Sequence, residues 1–194
     1  MKKITACFIA LLFTLASYAQ LNAEQTAIRK VFFDFLLFYK KNEAKFNSFK
    51  LYKGVGKDNN PPYKLQWKEA EKYFTYLRNN VPYVGEAYIN AERTHFIFAD
   101  SGFKEDPKEE LPAGFDYDRW AGGQESIQYT YKWYTSAKNK YIVTITGNTA
   151  VLKIGGELWD GAAEKDRSWS FVPFVKEKGK WKMADNIYPA DEEK

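Results

Sequence analysis

The chain carries one histidine, His95, and one cysteine, Cys7, which limits the chemistry its side chains can do. A serine hydrolase needs a nucleophile, a base and an orienting acid. His95 is the only imidazole that could act as base, and no Gly-x-Ser-x-Gly elbow occurs. A zinc site would have to draw most of its ligands from carboxylates; no metal and no other cofactor is expected. Asp116 and Asp118 lie in the run Phe115 to Glu125, rich enough in carboxylates to suggest calcium. A calcium loop starting at Asp116 needs glycine sixth and glutamate twelfth, and Ala121 and Ile127 stand there instead. Asp118 and Arg119 are expected to form a solvated turn of opposite charges. Gly122-Gly123 lacks the following Lys-Ser or Lys-Thr of a phosphate loop and reads as a flexible entry to a strand. His95 falls on a helix's apolar face, which suits a core histidine held by a hydrogen bond, with a pocket acid or base as the alternative.

What remains is aromatic: the 194 residues include 6 Trp, 14 Tyr and 15 Phe. Tyr129, Tyr131, Trp133, Tyr141, Trp169 and Trp181 all fall in segments of strand-like pattern. Such rings fill cores, and they also line pockets, where their faces stack on sugar rings or peptide side chains and tyrosine hydroxyls orient the ligand. The candidate ligand-binding residues are therefore Tyr129, Tyr131, Trp133 and Tyr141, with His95 and Asp116 as polar partners.

These residues need elements to position them. At 45% hydrophobic and 28% charged, the chain has the profile of a folded protein with one core. Residues 1–19 read as a signal peptide: basic Lys2-Lys3, an apolar run from Ile4 to Leu15, and Ser17-Tyr18-Ala19 before a cleavage at Ala19/Gln20. The run is shorter than the roughly 20 residues of a spanning helix. Ile4-Thr5-Ala6-Cys7 resembles a lipoprotein box but precedes the apolar run, so Cys7 reads as part of the signal. The expected mature chain, 20–194, is one exported α+β domain, periplasmic or secreted, with no transmembrane segment and no thiol. Losing Lys2 and Lys3 takes the net charge from +4 to +2, with Lys and acids interleaved, which excludes a nucleic-acid partner.

Helical spacing dominates the first half and alternation the second. A helix is predicted from Asn22, in a capping box with Gln25, to about Lys41, with Ile28, Phe32, Phe35, Leu36 and Tyr39 inward. A loop follows from Phe46 to Tyr63, then a helix from Leu65 to Asn79. A third runs from near Pro82 to Gly102, with Val84, Ala87, Tyr88, Ala91, His95 and Phe98 on one face. Phe103 to Gln124 is a long connection, and connections of that length are often functional. Strands are predicted at Ser126 to Tyr134, at Tyr141 to Thr146 and Thr149 to Ile154 around Gly147-Asn148, and at Trp169 to Val175 and Trp181 to Ile187 around Lys178-Gly179. Segregated helices and strands imply N-terminal helices packed on an antiparallel sheet of about five strands.

Ile28 to Tyr39 in the opening helix, Phe115 to Glu125 before the sheet, and the closing Trp181-Lys182-Met183-Ala184-Asp185-Asn186-Ile187 resemble the nuclear transport factor 2-like superfamily, cone-shaped, cystatin-like α+β folds. Within it the chain looks like small exported bacterial proteins and lipoproteins of unknown function. The resemblance implies a curved sheet and a cavity between sheet and helices, used for small ligands, for isomerase or dehydratase chemistry, or for protein partners. It assigns no catalytic residue. The leading expectation is a non-enzymatic binding or interaction protein for a small molecule or protein ligand. One alternative is an isomerase or hydratase with Asp116, Asp118 or His95 as acid or base. Another is an immunity or inhibitor protein whose Phe103 to Gln124 loop plugs a secreted enzyme.

Overall fold

A computed structural model of the chain describes residues 2–189, with side chains over 23–188. The fold is α+β. The helices are α1 (Lys2–Phe46), α2 (Trp67–Asn80), α3 (Glu86–Glu105) and α4 (Ile127–Tyr134). Strands β1 (Tyr52–Gly54) and β2 (Tyr63–Leu65) form a small hairpin. The main sheet contains β3 (Lys140–Thr146), β4 (Thr149–Gly155), β5 (Trp169–Glu177) and β6 (Lys180–Met183) in antiparallel order, with β7 (Tyr188–Pro189) pairing to β5.

Helix α1 is continuous through Asn22, so the predicted cap there is not a helix start: Gln25 instead donates through Nε2 to the Val143 carbonyl at 3.0 Å. The side chains of the expected signal segment, Cys7 included, lie outside the described residues. Among the described residues no helix is long and apolar enough to cross a membrane. On α1 the stripe Ile28, Phe32, Phe35, Leu36 and Tyr39 is buried as its spacing requires. It meets the inward residues Val143, Ala150, Leu152, Ile154, Val172, Phe174 and Met183 of the sheet in one apolar core. Both predicted hairpins form. Gly147 alone has positive φ (60°) at the first turn, and Lys178 and Gly179 share it at the second, as II′ and I′ turns require.

Three further expectations are corrected. The segment Ser126 to Tyr134 is a helix rather than a strand, so the fifth strand of the sheet is β7 instead. The Ser126 hydroxyl caps α4 by accepting from the Tyr129 amide (3.3 Å), and Ile127, Thr130 and Tyr134 are the buried positions, a spacing of three and four that a strand cannot bury on one side. Alternating aromatics simulated a strand because Tyr129, Tyr131 and Trp133 happen to sit around the helix.

The third helix starts at Glu86 rather than near Pro82. Residues 83–85 run beside β6, with Met183 N donating to Tyr83 O (2.9 Å) and a parallel bridge at Val84, and the Glu177 carboxylate accepts the Glu86 and Ala87 amides (both 3.2 Å). Its buried face is Tyr88, Ile89, Glu92, Phe96, Ala99 and Phe103, leaving Phe98 exposed and His95 half-buried. Finally, the stretch read as loop between Phe46 and Tyr63 carries strand β1 and ends in β2. Gly54 is required there, because a Cβ would lie 1.8 Å from the Asn59 carbonyl oxygen.

Candidate functional site

The space between α1 and the sheet, where the resemblance puts a cavity, holds the apolar core. A cleft of about 900 Å³ lies elsewhere. Its walls are the end of α1 (Tyr39, Glu43, Phe46), the chain through Leu51 to Gly54, and the long loop at Phe115 to Ile127. No residue of the main sheet lines it.

The loop is shaped by Asp118. Its Oδ1 accepts the amides of Trp120 and Ala121 (both 3.0 Å), Oδ2 accepts the Tyr39 hydroxyl (2.8 Å), and its carbonyl accepts from Gly122 and Gly123. Aspartate bonding amides two and three residues ahead closes a turn. Gly122 supplies the positive φ (71°) that lets the turn return. Burial raises the Asp118 carboxyl above its ordinary pKa, and its hydrogen bonds offset that only in part. The same contact, with burial foremost, lifts the Tyr39 hydroxyl so that it donates.

Behind the loop is a buried polar network that the sequence reading missed. Glu92 of α3 is fully buried. Its Oε2 accepts the Tyr73 hydroxyl (2.7 Å) and its Oε1 accepts Asn186 Nδ2 (2.7 Å); Tyr88 donates to Asn186 Oδ1 (2.5 Å), and the Trp120 indole donates to the Tyr73 oxygen (2.6 Å). Arg119 lies with its Nε 3.3 Å from Glu92 Oε1 and its guanidinium carbon over the Phe96 and Phe115 rings (4.4 and 4.8 Å). Nε and Nη1 of Arg119 are buried and make no hydrogen bond. The expected solvated pairing of Asp118 with Arg119 is thus replaced: Asp118 binds loop amides and Tyr39, and Arg119 turns inward to Glu92. One signal was available, a glutamate at the centre of Tyr88-x-x-x-Glu92-x-x-x-Phe96 on a buried helix face, where an unpaired carboxylate would be prohibitive.

The six candidate residues do not converge. Tyr129 and Trp133 line a second, smaller pocket of about 230 Å³ with Gly122, Gly123 and Ser170. Tyr131 packs on the core beneath the Lys40 ammonium (4.7 Å). Tyr141 meets Phe33 edge-on and donates to the Tyr134 and Ser136 carbonyls (2.6 and 3.1 Å), which ties β3 to the end of α4. Asp116 is exposed beside the large cleft. His95 stands apart on α3, its Nε2 at 2.9 Å from the Tyr188 hydroxyl and 3.3 Å from Asp185 Oδ1. The hydrogen bond to Asp185 raises its pKa against the effect of burial. Among the described residues no cluster of three or more His, Cys, Asp or Glu side chains is placed to hold a metal ion. Comparison of the chain with protein-family models, curated proteins and solved structures finds no match.

Proposed function

We propose that the protein is an exported, non-enzymatic binding protein that holds its ligand in the loop-walled cleft rather than on the sheet. The supporting observation is the cleft itself. At about 900 Å³ it has the size of a ligand site, and Tyr39, Phe46, Tyr52, Phe115 and Trp120 wall it with rings while Glu43, Asp118, Arg119 and Glu125 add polar groups. The turn at Asp118 and the network at Glu92 hold those walls before any ligand arrives, so little ordering has to accompany binding. Export through residues 1–19 and kinship with nuclear transport factor 2-like cones belong to this proposal; the α+β class is compatible with both.

The test is a panel of ring-bearing fragments screened by protein-observed NMR. Binding in the cleft moves the Trp120 indole N–H and the amides of 118–123. A panel that moves only amides of the main sheet (β3 to β7), or nothing, overturns the proposal.

A second reading, acid–base chemistry of the isomerase or hydratase type, draws on one observation: a desolvated carboxyl, Asp118, faces the Tyr39 hydroxyl at 2.8 Å on the cleft wall. Against it, both carboxylate oxygens already accept protein hydrogen bonds. Turnover of a small carbonyl substrate that Asp118→Asn abolishes without unfolding would establish this reading in place of the first.

A further inference from the structure

Side chains alternate along a strand, so a cavity against one face of a strand touches every second residue. The large cleft touches Leu51, Tyr52, Lys53 and Gly54 in succession and only Tyr63 of β2. It therefore runs along an edge of β1, and that edge is the one β2 does not use. The phase of the hairpin bonds agrees. Gln66 N donates to Leu51 O (2.7 Å) and Val55 N to Pro62 O (2.9 Å), with Tyr52, Lys53 and Gly54 opposite Leu65, Lys64 and Tyr63. Antiparallel alternation then pairs Lys53 with Lys64 and points the N–H and C=O of Tyr52 and Gly54 away from β2. Such an edge is a template for another strand.

Arg119 lines the same cleft and points to the same ligand chemistry. Its charge is matched by Glu92, yet Nε and Nη1 have no acceptor, so what it lacks is an oxygen rather than a counter-charge. A neutral carbonyl is the group that supplies an oxygen without adding a charge. Of the cleft's other charged groups, Lys50 and Lys53 stand against Glu43 and Glu125, and Asp118 has both carboxylate oxygens taken up by Tyr39 and the loop amides, so neither sign is strongly favoured.

We propose that the cleft takes an extended peptide segment of a partner protein, which adds to β1 as a third strand. This rests on the binding function proposed above and names its ligand class. The edge is recessed between the end of α1 and the long loop, so a single extended chain reaches it where the sheet of a second copy does not. Backbone bonds at Tyr52 and Gly54 give affinity, and side chains on alternate positions meet the aromatic walls.

The experiment selects displayed random peptides on the order of ten residues on the intact protein and N-methylates the winners one position at a time. Strand addition predicts a loss of about tenfold at every second position, one hydrogen bond each, and little between. On the protein, Tyr52→Pro removes the outward amide whereas Tyr52→Ala removes only the ring, so weaker binding by the proline variant than by the alanine one reads the amide itself. A methylation scan without alternation, or equal affinities for the two variants, overturns strand addition. Selected peptides that leave the Tyr52 and Gly54 amides unshifted bind elsewhere and overturn it too. If no peptide is enriched while ring fragments still move the Trp120 indole, the peptide inference falls and cleft binding stands; if neither binds, both fall.

Discussion

Two clamps hold the segment from Asp185 to Tyr188 against α3, one turn apart, and they are built from similar groups in opposite surroundings. At Glu92 the carboxylate is fully buried and bonded to Asn186 and Tyr73, with Arg119 beside it. At His95 the partners are Asp185 and Tyr188, and the imidazole and carboxylate are 37% and 27% exposed. Burial makes the first clamp costly to break, because every group freed is left without water. Exposure makes the second cheap to break, because water replaces each lost partner. The inner clamp also reaches the cleft, through the Tyr73 hydroxyl to the Trp120 indole, whereas the outer one joins His95 to Asp185 and Tyr188 away from it.

The largest effect should come from Glu92→Ala, which strands Arg119, Tyr73 and Asn186 together. Breaking one side of a buried ion pair costs about 3–5 kcal/mol. Urea unfolding should show a loss of that order, with the Trp120 indole signal displaced in whatever folded protein remains. A loss below about 1 kcal/mol would mean that water already reaches the network, and the contrast between the clamps would collapse. Asn186→Ala comes next. It takes the hydrogen-bond partner from the Tyr88 hydroxyl and from Glu92 Oε1 but keeps the ion pair of that oxygen with Arg119, so about 1–3 kcal/mol is expected in the same assay.

Much of the scaffold was legible because its signals are local. The α1 stripe and the two hairpin turns are set by spacing and by glycine at defined positions, and each formed where its residues dictate. Helix α4 was not legible from alternation alone: its aromatics have strand propensity, and only the Ser126 cap and the burial of Ile127, Thr130 and Tyr134 decide for a helix. The cleft was partly legible, since the long connection from Phe103 to Gln124 was singled out and does supply one wall. Its opposite wall was not. The meeting of β1 with the long loop, as at Tyr52 and Phe115, and that of Glu92 with Asn186 join residues far apart in sequence, which no periodicity encodes.

Asp118 separates shape from stability. Replacing it with alanine removes the oxygen that accepts two amides and the contact to Tyr39, a change like the loss of a helix cap, for which about 1–2 kcal/mol is expected. The turn at 118–123 should loosen and ligand binding in the cleft should fall by more than this modest loss of stability suggests. Asp118→Asn keeps an amide acceptor and should retain more of both. If Asp118→Ala binds cleft fragments as well as the native chain, the turn is not what holds the wall.

The smallest effect tests the outer clamp by its titration. His95 has a raised pKa in the fold, chiefly from the hydrogen bond to Asp185, so its contribution is fully present below its ordinary value of 6.5 and is lost as pH rises through the folded value. For Asp185 burial alone would raise the carboxyl, but bonds from His95, Tyr188 and the Asn186 amide hold it lower. Its contribution is present above 3.8 and is lost as pH falls through the folded value. Both act together between pH 3.8 and 6.5. Because both groups are partly exposed, solvent screening leaves the sum under about 1 kcal/mol. Unfolding free energies at about pH 5.5 and about pH 8.5 should therefore differ slightly in favour of the lower pH, and His95→Gln should abolish that difference. Added salt at 1 M should shrink it while leaving the Glu92→Ala loss nearly intact, since screening reaches exposed charges and not buried ones. A pH difference that survives His95→Gln would place the titrating group elsewhere, and one that resists salt would mean the outer clamp is as dry as the inner.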